Sequence, residues 1–356
     1  MLLVEALTSK DRSEWEQFTS TCPEATFFHT YEWEKMLHLG VRNERPKYWG
    51  LWLDDELVAI WPTSVVPSFG GLILYSLPHS NFGAPIIKDG VDVALLHELI
   101  PPIREEAKNQ GVLHWAIDVK KESELLGSAR HWGFDVRPSS KCTFTIDTSL
   151  KADLIWERFH SEVRTAVRKA KKLEVEVSES RELEGLNDYF QIYRSTMKRH
   201  GRIGLNWQFF AMVHSVLLED GKARVFLARN RGRVIAGIIL LLHRANAYWW
   251  SGASLAESWR MRPNELLLWH ALEWASNSGI RSFDLGLTPA EKTSGLNLFK
   301  RHLGGEQIGF VRLTLSINRL RDFLATSIVN CYRKFDDLGL IPRILIDHLQ
   351  PRMWFD

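Results

Sequence analysis

The feature that most constrains the fold is an internal repeat that links the two halves of the chain. The stretch LLHELIPPIREEAKNQGVLHWAIDV (95–119) predicts a helix, a stop at Gly111 and a short apolar strand. The stretch NELLLWHALEWASNSGIRSFDLGL (264–287) repeats this order, and its segment ASNSGIRSF aligns with AKNQGVLHW. A whole supersecondary unit that recurs about half a chain length later predicts two similar domains rather than a solenoid.

Each copy of the repeat is preceded by a predicted β-hairpin. Residues 47–66 and 223–243 each read as a strand, a polar turn and a second strand, with the turns at Asp54-Asp55 and Arg231-Gly232. A further strand follows each hairpin, at 71–77 and 247–253. The predicted fold class is therefore α/β (α+β), with two tandem domains that each contain a mixed, mostly antiparallel sheet flanked by helices.

The repeat also suggests where the domains begin and end. We place the first domain at residues 1–147, the second at 148–310 and a helical tail at 311–356. The tail segment 317–355 reads as one or two amphipathic helices, for which packing on the second domain is the default. The alternative is peripheral contact with a membrane that carries a lipid-linked substrate.

Charge and composition disfavour several classes of function. Lys+Arg 45 and Asp+Glu 43 leave a net charge of +2, so no DNA partner is expected and any polyanion site must be local. The three cysteines lack CxxC spacing and no HExxH is present, which predicts neither a disulfide framework nor a metal site. The N-terminal stretch meets charge early and no apolar run reaches the length of a membrane span, so the expected location is cytoplasmic.

A basic helix is predicted within residues 148–177. Apolar residues recur along it at helical spacing, and Arg164, Arg168 and Lys172 follow at four-residue steps on a neighbouring face. Between residues 151 and 172 there are seven Lys or Arg against three acids. Two interpretations stay open: a solvated charged face, which such runs usually are, and a surface that faces the phosphates of an anionic substrate.

The stretch GLNLFKRHLGGE (295–306) places Phe299, Lys300 and Arg301 one turn before two glycines. One interpretation is an amphipathic helix with Phe299 in the core and both cations near the C-terminal end of the dipole. In the other, Lys300 stabilises an oxyanion or a terminal phosphate. In that interpretation Phe299 and Arg301 would contact the same anionic substrate.

Two more segments of the second domain carry candidate residues. Asp284, in SFDLG at the end of an apolar strand, either accepts a proton and orients an amine or caps the following turn. Arg260 and Arg262 precede Pro263, near the first position of the long helix, and Asn264 follows. Free backbone N–H groups at the helix start and these cations would form an anion site.

The tandem units, the stretches RTAVRKAKK, SFDLG and GLNLFKRHLGG, and their order along the chain resemble the FemABX aminoacyltransferases and the acetyltransferase-like proteins grouped with them. The resemblance covers roughly residues 25–310 and implies two GNAT-like domains. Classical members transfer an amino acid from aminoacyl-tRNA to the peptide of a peptidoglycan precursor. The family's FK pair, here Phe299 and Lys300, lies where the tRNA end and the reacting ester meet. The resemblance thus implies that Phe299 stacks on a nucleobase and that Arg301 contacts the nucleic-acid backbone.

The chain departs from the related families in two places. The FemABX N-terminal motif usually has a Lys shortly after a Trp. Here Leu37 falls near the position expected for that Lys, and the Lys that is present, Lys35, follows Trp33 by only two residues. Acetyl-CoA-dependent GNAT enzymes carry a Q/R-x-x-G-x-G/A loop, whereas Arg260 is followed here by Met, Arg, Pro and Asn. The missing glycines disfavour tight CoA binding.

The expected reaction is acyl transfer to an amine by direct attack, since an aminoacyl ester is already activated and no GxSxG elbow is present. The resemblance favours the acceptor end of aminoacyl-tRNA as co-substrate, with no bound cofactor. It favours as acceptor an amino group of a cell-wall precursor or another small peptide or amine, anionic and nucleotide- or lipid-linked. The alternatives are an N-acetyltransferase that uses acetyl-CoA on a sugar or amine, and a non-catalytic binding module.

Each candidate residue has an expected role. The expected catalytic residues are Lys300 and Asp284. The expected donor-binding residues are Phe299, Arg301, Arg260, Arg262 and Asn264. The expected acceptor-binding residues are Arg164, Arg168, Lys172, Trp33, Lys35 and Asn81, the last of which lies in LPHSNFGAPI (77–86).

Overall fold

The computed structural model of the chain describes residues 1–68 and 70–337. Within the described residues the chain divides into two compact units, the first of residues 1–139 and 310–337 and the second of residues 140–309. The second unit therefore begins at residue 140 rather than at the predicted 148. Both boundaries, at residues 139/140 and 309/310, fall inside strands, Asp135–Asp147 and Glu306–Ser316. The chain therefore passes between the units within extended segments and not through a loop.

The strands and helices of the two repeats follow the predicted order. The described strands are β1 (Leu2–Ala6), β2 (Arg45–Leu53), β3 (Glu56–Ser68), β4 (Gly71–Ser76), β5 (Ile86–Ile87), β6 (Val112–Lys120), β7 (Asp135–Asp147), β8 (Val175–Ser180), β9 (Ala223–Asn230), β10 (Arg233–His243), β11 (Asn246–Ser254), β12 (Ser282–Asp284), β13 (Thr288–Pro289) and β14 (Glu306–Ser316). The described α-helices are α1 (Arg12–Thr21), α2 (Tyr31–Gly40), α3 (Ile100–Asn109), α4 (Leu125–Ala129), α5 (Ala152–Arg158), α6 (Ser161–Lys172), α7 (Leu183–Arg199), α8 (Trp207–Met212), α9 (Pro263–Asn277), α10 (Gly295–His302) and α11 (Arg319–Asp337).

The sheet of the first unit has the strand order β1-β2-β3-β4-β6-β14. The β4–β6 pair is parallel and the other pairs along this order are antiparallel, since α3 returns the chain between β4 and β6. Its core is rich in large rings, among them Trp61 and Trp115, whose ring centroids are 4.8 Å apart. This is the mixed, mostly antiparallel sheet that the sequence predicted.

The second unit repeats this plan with the strand order β7-β12-β11-β10-β9-β8. The β11–β12 pair is parallel and connected through α9, as β4 and β6 are connected through α3. Helices α5, α6 and α9 share one hydrophobic core with this sheet. The rings of α7 and α8 form a separate aromatic group, in which Phe209 stacks on Trp250 of β11. The predicted fold class is confirmed for both units.

The predicted hairpin turns have the backbone conformation that a two-residue loop requires. The φ angles are 48° and 69° at Asp54 and Asp55, and 49° and 79° at Arg231 and Gly232. Positive φ at both central positions is the type I′ turn, whose twist matches that of the flanking strands. The turns therefore fix the register of β2 on β3 and of β9 on β10.

The aligned glycines that end the two repeated helices also adopt matching conformations, with φ of 72° at Gly111 and 77° at Gly279. We expect Gly111→Ala to lower the free energy of unfolding by about 1 kcal/mol, because alanine is strained in this conformation although its Cβ would meet no atom within 4 Å. Gly127→Ala is the matched control, since that site in α4 is equally open and lacks the positive φ. Urea unfolding that shows equal effects for both variants would contradict this assignment.

The tail differs from its prediction. Residues 306–316 form β14, and its segment from Phe310 to Ser316 pairs with β6 in the first unit. Helix α11 then contacts the first unit, where Asp322 Oδ1 lies 2.7 Å from His114 Nδ1. The described part of the tail therefore packs on the first unit and not on the second. Buried Leu313 and Leu315 alternate with less buried residues, a period-two pattern that the helical prediction overlooked. Residues 338–356 of the predicted tail lie outside the described residues.

Candidate active site in the second unit

The two parallel strands of the second unit separate soon after they meet. β11 and β12 pair over three residues, and Tyr248 opposite Asp284 is the last pair. β11 then continues along β10 to Ser254, whereas the chain after Asp284 turns at Gly286 and forms β13, which pairs with β7. The opening beyond Tyr248 and Asp284 is called the fork below. A fork between two strands gives side chains and backbone groups room to face a ligand.

Lys300 places its ammonium at the fork. The residue lies on α10 and is only 3% exposed. Its Nζ donates hydrogen bonds to the carbonyl oxygens of Gly286 at 2.8 Å and Leu287 at 3.0 Å, both just after β12. On the β11 side, Nζ lies 5.0 Å from the ring centroid of Trp249. The ammonium therefore lies between the two diverging strands rather than in solvent at a helix end.

Trp249 is held in place by its own strand. Its indole N–H donates to the carbonyl of Ser251 at 3.1 Å. A Cβ added at Gly252 would lie 2.7 Å from the indole nitrogen, so glycine leaves space that any other residue would fill. The ring face is thereby directed at the Lys300 ammonium, which its quadrupole attracts.

Burial lowers the pKa of the Lys300 ammonium from 10.5 to about 8, whereas the negative charge of Asp284 raises it. The two carbonyl oxygens and the Trp249 ring also favour the charged form. The ammonium thus remains the main form at neutral pH while being much less hydrated than an exposed lysine. Such a cation stabilises a developing negative charge strongly, since little water competes for it.

Asp284 organises the turn that holds Lys300. Its Oδ1 accepts from the backbone N–H of Gly286 at 2.9 Å, and its Oδ2 accepts from the hydroxyl of Thr143 at 2.8 Å. The carboxylate is 3% exposed, and both oxygens are engaged by donors of the chain itself. This geometry favours the turn-capping interpretation over the proton-accepting one, and we assign Asp284 as a positioning residue.

We expect Asp284→Asn to lower the pKa of Lys300, because the substitution removes the negative charge that raises it. The amide oxygen can still accept from Gly286, so the turn itself is retained. NMR titration of the lysine side chain, after selective labelling, measures the pKa directly. An unchanged Lys300 pKa in a folded Asp284→Asn protein would show that the carboxylate does not act on the ammonium.

Residues that the sequence did not single out complete the fork. Asn297, fully buried on α10, donates to the carbonyl of Pro289 at 2.9 Å, which ties α10 to the segment after β12. Burial raises the pKa of the neighbouring Cys142 thiol, so it is not activated as a nucleophile. Thr143 and Cys142 lie more than a hundred residues from Lys300 in sequence, and no short motif connects them.

The neighbours of Lys300 on α10 are less centrally placed. Phe299 is partly buried and packs against the core of the second unit. Arg301 is also partly buried and donates to the side-chain oxygen of Asn297. The core interpretation of Phe299 thus describes its main contacts, and its predicted stacking on a nucleobase stays a prediction.

The predicted donor residues around the start of α9 lie on a basic surface that also includes the end of α7. We define this surface, the loop patch, as Arg199, Ser254, Trp259, Arg260, Arg262 and Asn264. Trp259 is 47% exposed, and the Arg199 guanidinium lies 4.9 Å from its ring centroid. The Ser254 hydroxyl accepts from Trp259 at 3.0 Å and from Asn264 at 3.3 Å. Arg260 and Arg262 are exposed beside them. The patch therefore presents cations around an accessible indole.

The start of α9 itself carries a negative charge. Glu265 lies in the first helical turn, is 9% exposed and has its carboxylate 3.2 Å from the Arg262 guanidinium. A carboxylate at this position already occupies the positive end of the helix dipole, and Pro263 supplies no N–H. The predicted anion site at the helix start is thereby weakened for a pyrophosphate.

The basic helix predicted at 148–177 is two helices, α5 and α6, followed by β8. Arg164 is partly buried and donates to the carbonyls of Glu157 and Phe159, so it caps the end of α5. Arg168 is exposed with its guanidinium 5.7 Å from the Trp156 ring centroid, and Lys172 is exposed at the end of α6. For Arg168 and Lys172 the acceptor role stays a prediction.

The remaining acceptor candidates lie in the first unit. Trp33 is fully buried and packs edge-on against Phe27 and Phe28, so its ring has no open face for a ligand. Trp33 is therefore a core residue, which corrects its predicted role. Lys35 is exposed on the same helix, and Asn81 is buried in the segment between β4 and β5. Their roles stay predictions.

Among the residues that the structure describes, one group brings together three side chains able to bind a metal ion, namely His160, Glu162 and His302. The sequence predicted no metal site, because His302 lies 140 residues after Glu162 and no short metal-binding motif connects them. The two imidazoles are stacked, with centroids 4.2 Å apart and planes at 22°. Lone pairs of stacked rings run side by side rather than converging on one ion, so we interpret this group as a contact between α6 and α10.

Comparison with known proteins agrees with this architecture. Residues 157–301 match the family described as the acetyltransferase (GNAT) domain. No curated protein is significantly similar to the chain in sequence. Among solved structures, FemX matches with a TM-score of 0.70 at 17% identity, over 90% of this chain and 99% of FemX.

Two further solved structures share the fold. One is the C-terminal domain (DUF2156) of a protein assigned as a lysylphosphatidylglycerol synthetase from Agrobacterium fabrum, with a TM-score of 0.61, 12% identity and coverage of 91% of this chain and 96% of that one. The other is a tandem GNAT protein from the clavulanic acid biosynthesis pathway, with a TM-score of 0.57, 11% identity and coverage of 89% and 99%. The chain thus has the tandem GNAT-like fold of the FemABX and GNAT-type acyltransferases, and its second unit carries the sequence pattern of the GNAT domain.

Proposed function

We propose that the chain is an acyltransferase that transfers an aminoacyl group from aminoacyl-tRNA to an amine. The acceptor would be an amino group of a cell-wall precursor or another small peptide or amine. The observation that carries the proposal is the buried Lys300 ammonium at the fork. The family resemblance, in which an FK pair lies beside the reacting ester, supports it.

In this reaction the acceptor amine attacks the carbonyl carbon of the ester. A C–N bond forms, the C–O bond to the tRNA terminus breaks, and the proton that the amine loses balances the one that the released hydroxyl gains. Negative charge develops on the carbonyl oxygen as the amine adds, and Lys300 would stabilise it. Asp284 would favour the charged form of the Lys300 ammonium, and Trp249 would hold the ammonium at the fork. The reaction needs no covalent intermediate on the enzyme.

The loop patch supports a nucleic-acid donor. An exposed indole among cations suits the unstacked bases and phosphates of a single-stranded end. Along β11, Trp249 beside Lys300 and Ser254 in the patch are five residues apart, about 16 Å in a strand. About five stacked nucleotides span this distance. The patch would therefore hold nucleotides that precede the terminus of the donor, while the terminal ester reaches the fork.

A second candidate is an N-acetyltransferase that uses acetyl-CoA on a sugar or amine. The match of residues 157–301 to the acetyltransferase (GNAT) domain favours it. The Glu265 carboxylate in the first turn of α9 counts against it, because a pyrophosphate bound there would meet a like charge. A non-catalytic binding module, the third interpretation, would show no turnover with either donor.

The deciding experiment offers labelled aminoacyl-tRNA and labelled acetyl-CoA in parallel to a pool of amine acceptors. We expect label to move from aminoacyl-tRNA into an amide that survives mild base, which hydrolyses the starting ester. Transfer from acetyl-CoA alone would replace the first candidate by the second. Binding of charged tRNA that is unchanged by Arg260→Glu with Arg262→Glu would remove the loop patch from the proposal.

A further inference from the structure

Helix α11 exposes a row of large apolar side chains. Leu320, Phe323, Leu324 and Ile328 are 71%, 69%, 51% and 55% exposed, and we call these four the outer row. Their spacing of three, four and eight residues places them on one side of the helix. Single exposed apolar residues are ordinary on a protein surface, whereas a contiguous row of this kind marks a contact site.

The opposite side of the helix attaches it to the first unit through small and polar groups. Ala325 is 8% exposed, and a Cβ added at Gly70 would lie 2.9 Å from its methyl group. Asp322 is bound to His114, with Oδ1 2.7 Å from Nδ1. The face of the helix with small and polar side chains thus contacts the unit, and the face with large apolar side chains is exposed. A helix that serves only the stability of its own domain shows the reverse arrangement.

The charges near the outer row indicate which kind of surface it would contact. Arg319 and Arg321 are exposed at the start of the same helix. Asp322 is the one acidic residue between 317 and 328, and His114 already engages it. The exposed charge of this segment is therefore positive. Apolar side chains beside exposed arginines are the pattern of a helix that lies in the interface of an anionic membrane.

We propose that the outer row inserts into an anionic lipid bilayer surface, with Arg319 and Arg321 at the level of the headgroups. A second copy of the chain fits the row less well, since four side chains expose on the order of 400 Å², about half of what each partner of a standard interface buries. Over residues 1–68 and 70–337, no helix is long and apolar enough to cross a membrane. The proposed contact is a peripheral one. The inference stands independently of the proposed acyl transfer.

The test uses the full chain and vesicles of phosphatidylcholine alone or mixed equally with phosphatidylglycerol. We expect the protein to float with the anionic vesicles and Leu320→Gln with Phe323→Gln to reduce this binding at least tenfold. Arg319→Gln with Arg321→Gln should reduce the preference for anionic vesicles by roughly tenfold or more, since each cation near such a surface contributes about 1 kcal/mol. Circular dichroism and thermal unfolding check that each variant is folded.

Leu154→Gln with Leu183→Gln is the matched control, because these leucines are 47% and 45% exposed on helices of the second unit. This pair should leave vesicle binding unchanged. Failure of the wild-type chain to bind either vesicle would overturn the proposal, as would equal binding by the outer-row variant. Sedimentation equilibrium that shows a dimer abolished by the outer-row variant, without vesicle binding, would assign the row to a second copy instead.

Discussion

Replacing Lys300 with methionine is expected to lower kcat for acyl transfer by about 10²–10³-fold, the effect of removing one oxyanion-stabilising donor. Methionine has a similar length and no charge, so the variant removes the ammonium that lies between Trp249 and the carbonyls of Gly286 and Leu287. KM for the donor should change much less, because the loop patch is untouched. Steady-state kinetics with the donor found active in the parallel assay measure both constants.

Lys292→Met is the control for this substitution, since Lys292 is an exposed lysine of the same segment, outside the fork. It should leave kcat unchanged. Lys300→Arg tests the need for charge separately from shape, and partial activity is expected because the cation is retained in a bulkier form. If folded Lys300→Met turns over within threefold of the wild type, Lys300 is a structural tie between α10 and the turn after β12.

The lowered pKa of Lys300 should affect kcat and the free energy of unfolding in opposite directions as pH rises. If the charged form acts in catalysis, kcat at saturating substrate should fall as pH rises through about 8, where the ammonium loses its proton. Lys300→Arg should lack this fall, since arginine stays charged. A wild-type rate that instead rises through pH 8 and levels off, with Lys300→Met lacking the rise, would identify Lys300 as a base.

Stability should change in the other direction. The pKa of Lys300 is about 8 in the fold and 10.5 in an ordinary lysine, so between these values the unfolded chain binds more protons. The free energy of unfolding should therefore gain up to about 3 kcal/mol from this group as pH rises from 8 to 10.5, and nothing further outside that window. Urea unfolding of the wild type and Lys300→Met at several pH values isolates the contribution. Parallel stability curves for the two proteins would contradict it.

Local signals in the sequence predicted much of the fold. The two repeated helices end at Gly111 and Gly279, which have nearly equal φ, and the two hairpins turn at the expected residue pairs. These predictions succeeded because helix stops and two-residue turns depend on the backbone preferences of a few adjacent residues. The match in order along the chain to the FemABX pattern also led to the fold that the solved structures share.

The errors have a common physical cause. Residues 311–316 of β14 were predicted as the start of a helical tail, and the partner strand β6 is nearly two hundred residues earlier in the chain. Strand pairing is a long-range interaction, so a short alternating segment does not reveal which strand it will join. Trp33 was predicted to contact the acceptor, but its burial depends on Phe27 and Phe28 packing around it. Only the folded core decides which rings remain exposed.

The segment FKRHLGG separates what the local sequence determines from what only tertiary packing decides. Its sequence determined a helix with cations near its end, and the structure contains that helix as α10. Whether Lys300 faces water or protein was decided by the turn after β12, by Trp249 on β11 and by Asp284 with Thr143. These groups come from distant parts of the chain, and the burial they impose lowers the lysine pKa to about 8. The residue type was therefore set by the sequence, whereas its chemical character arises from desolvation that only tertiary packing creates.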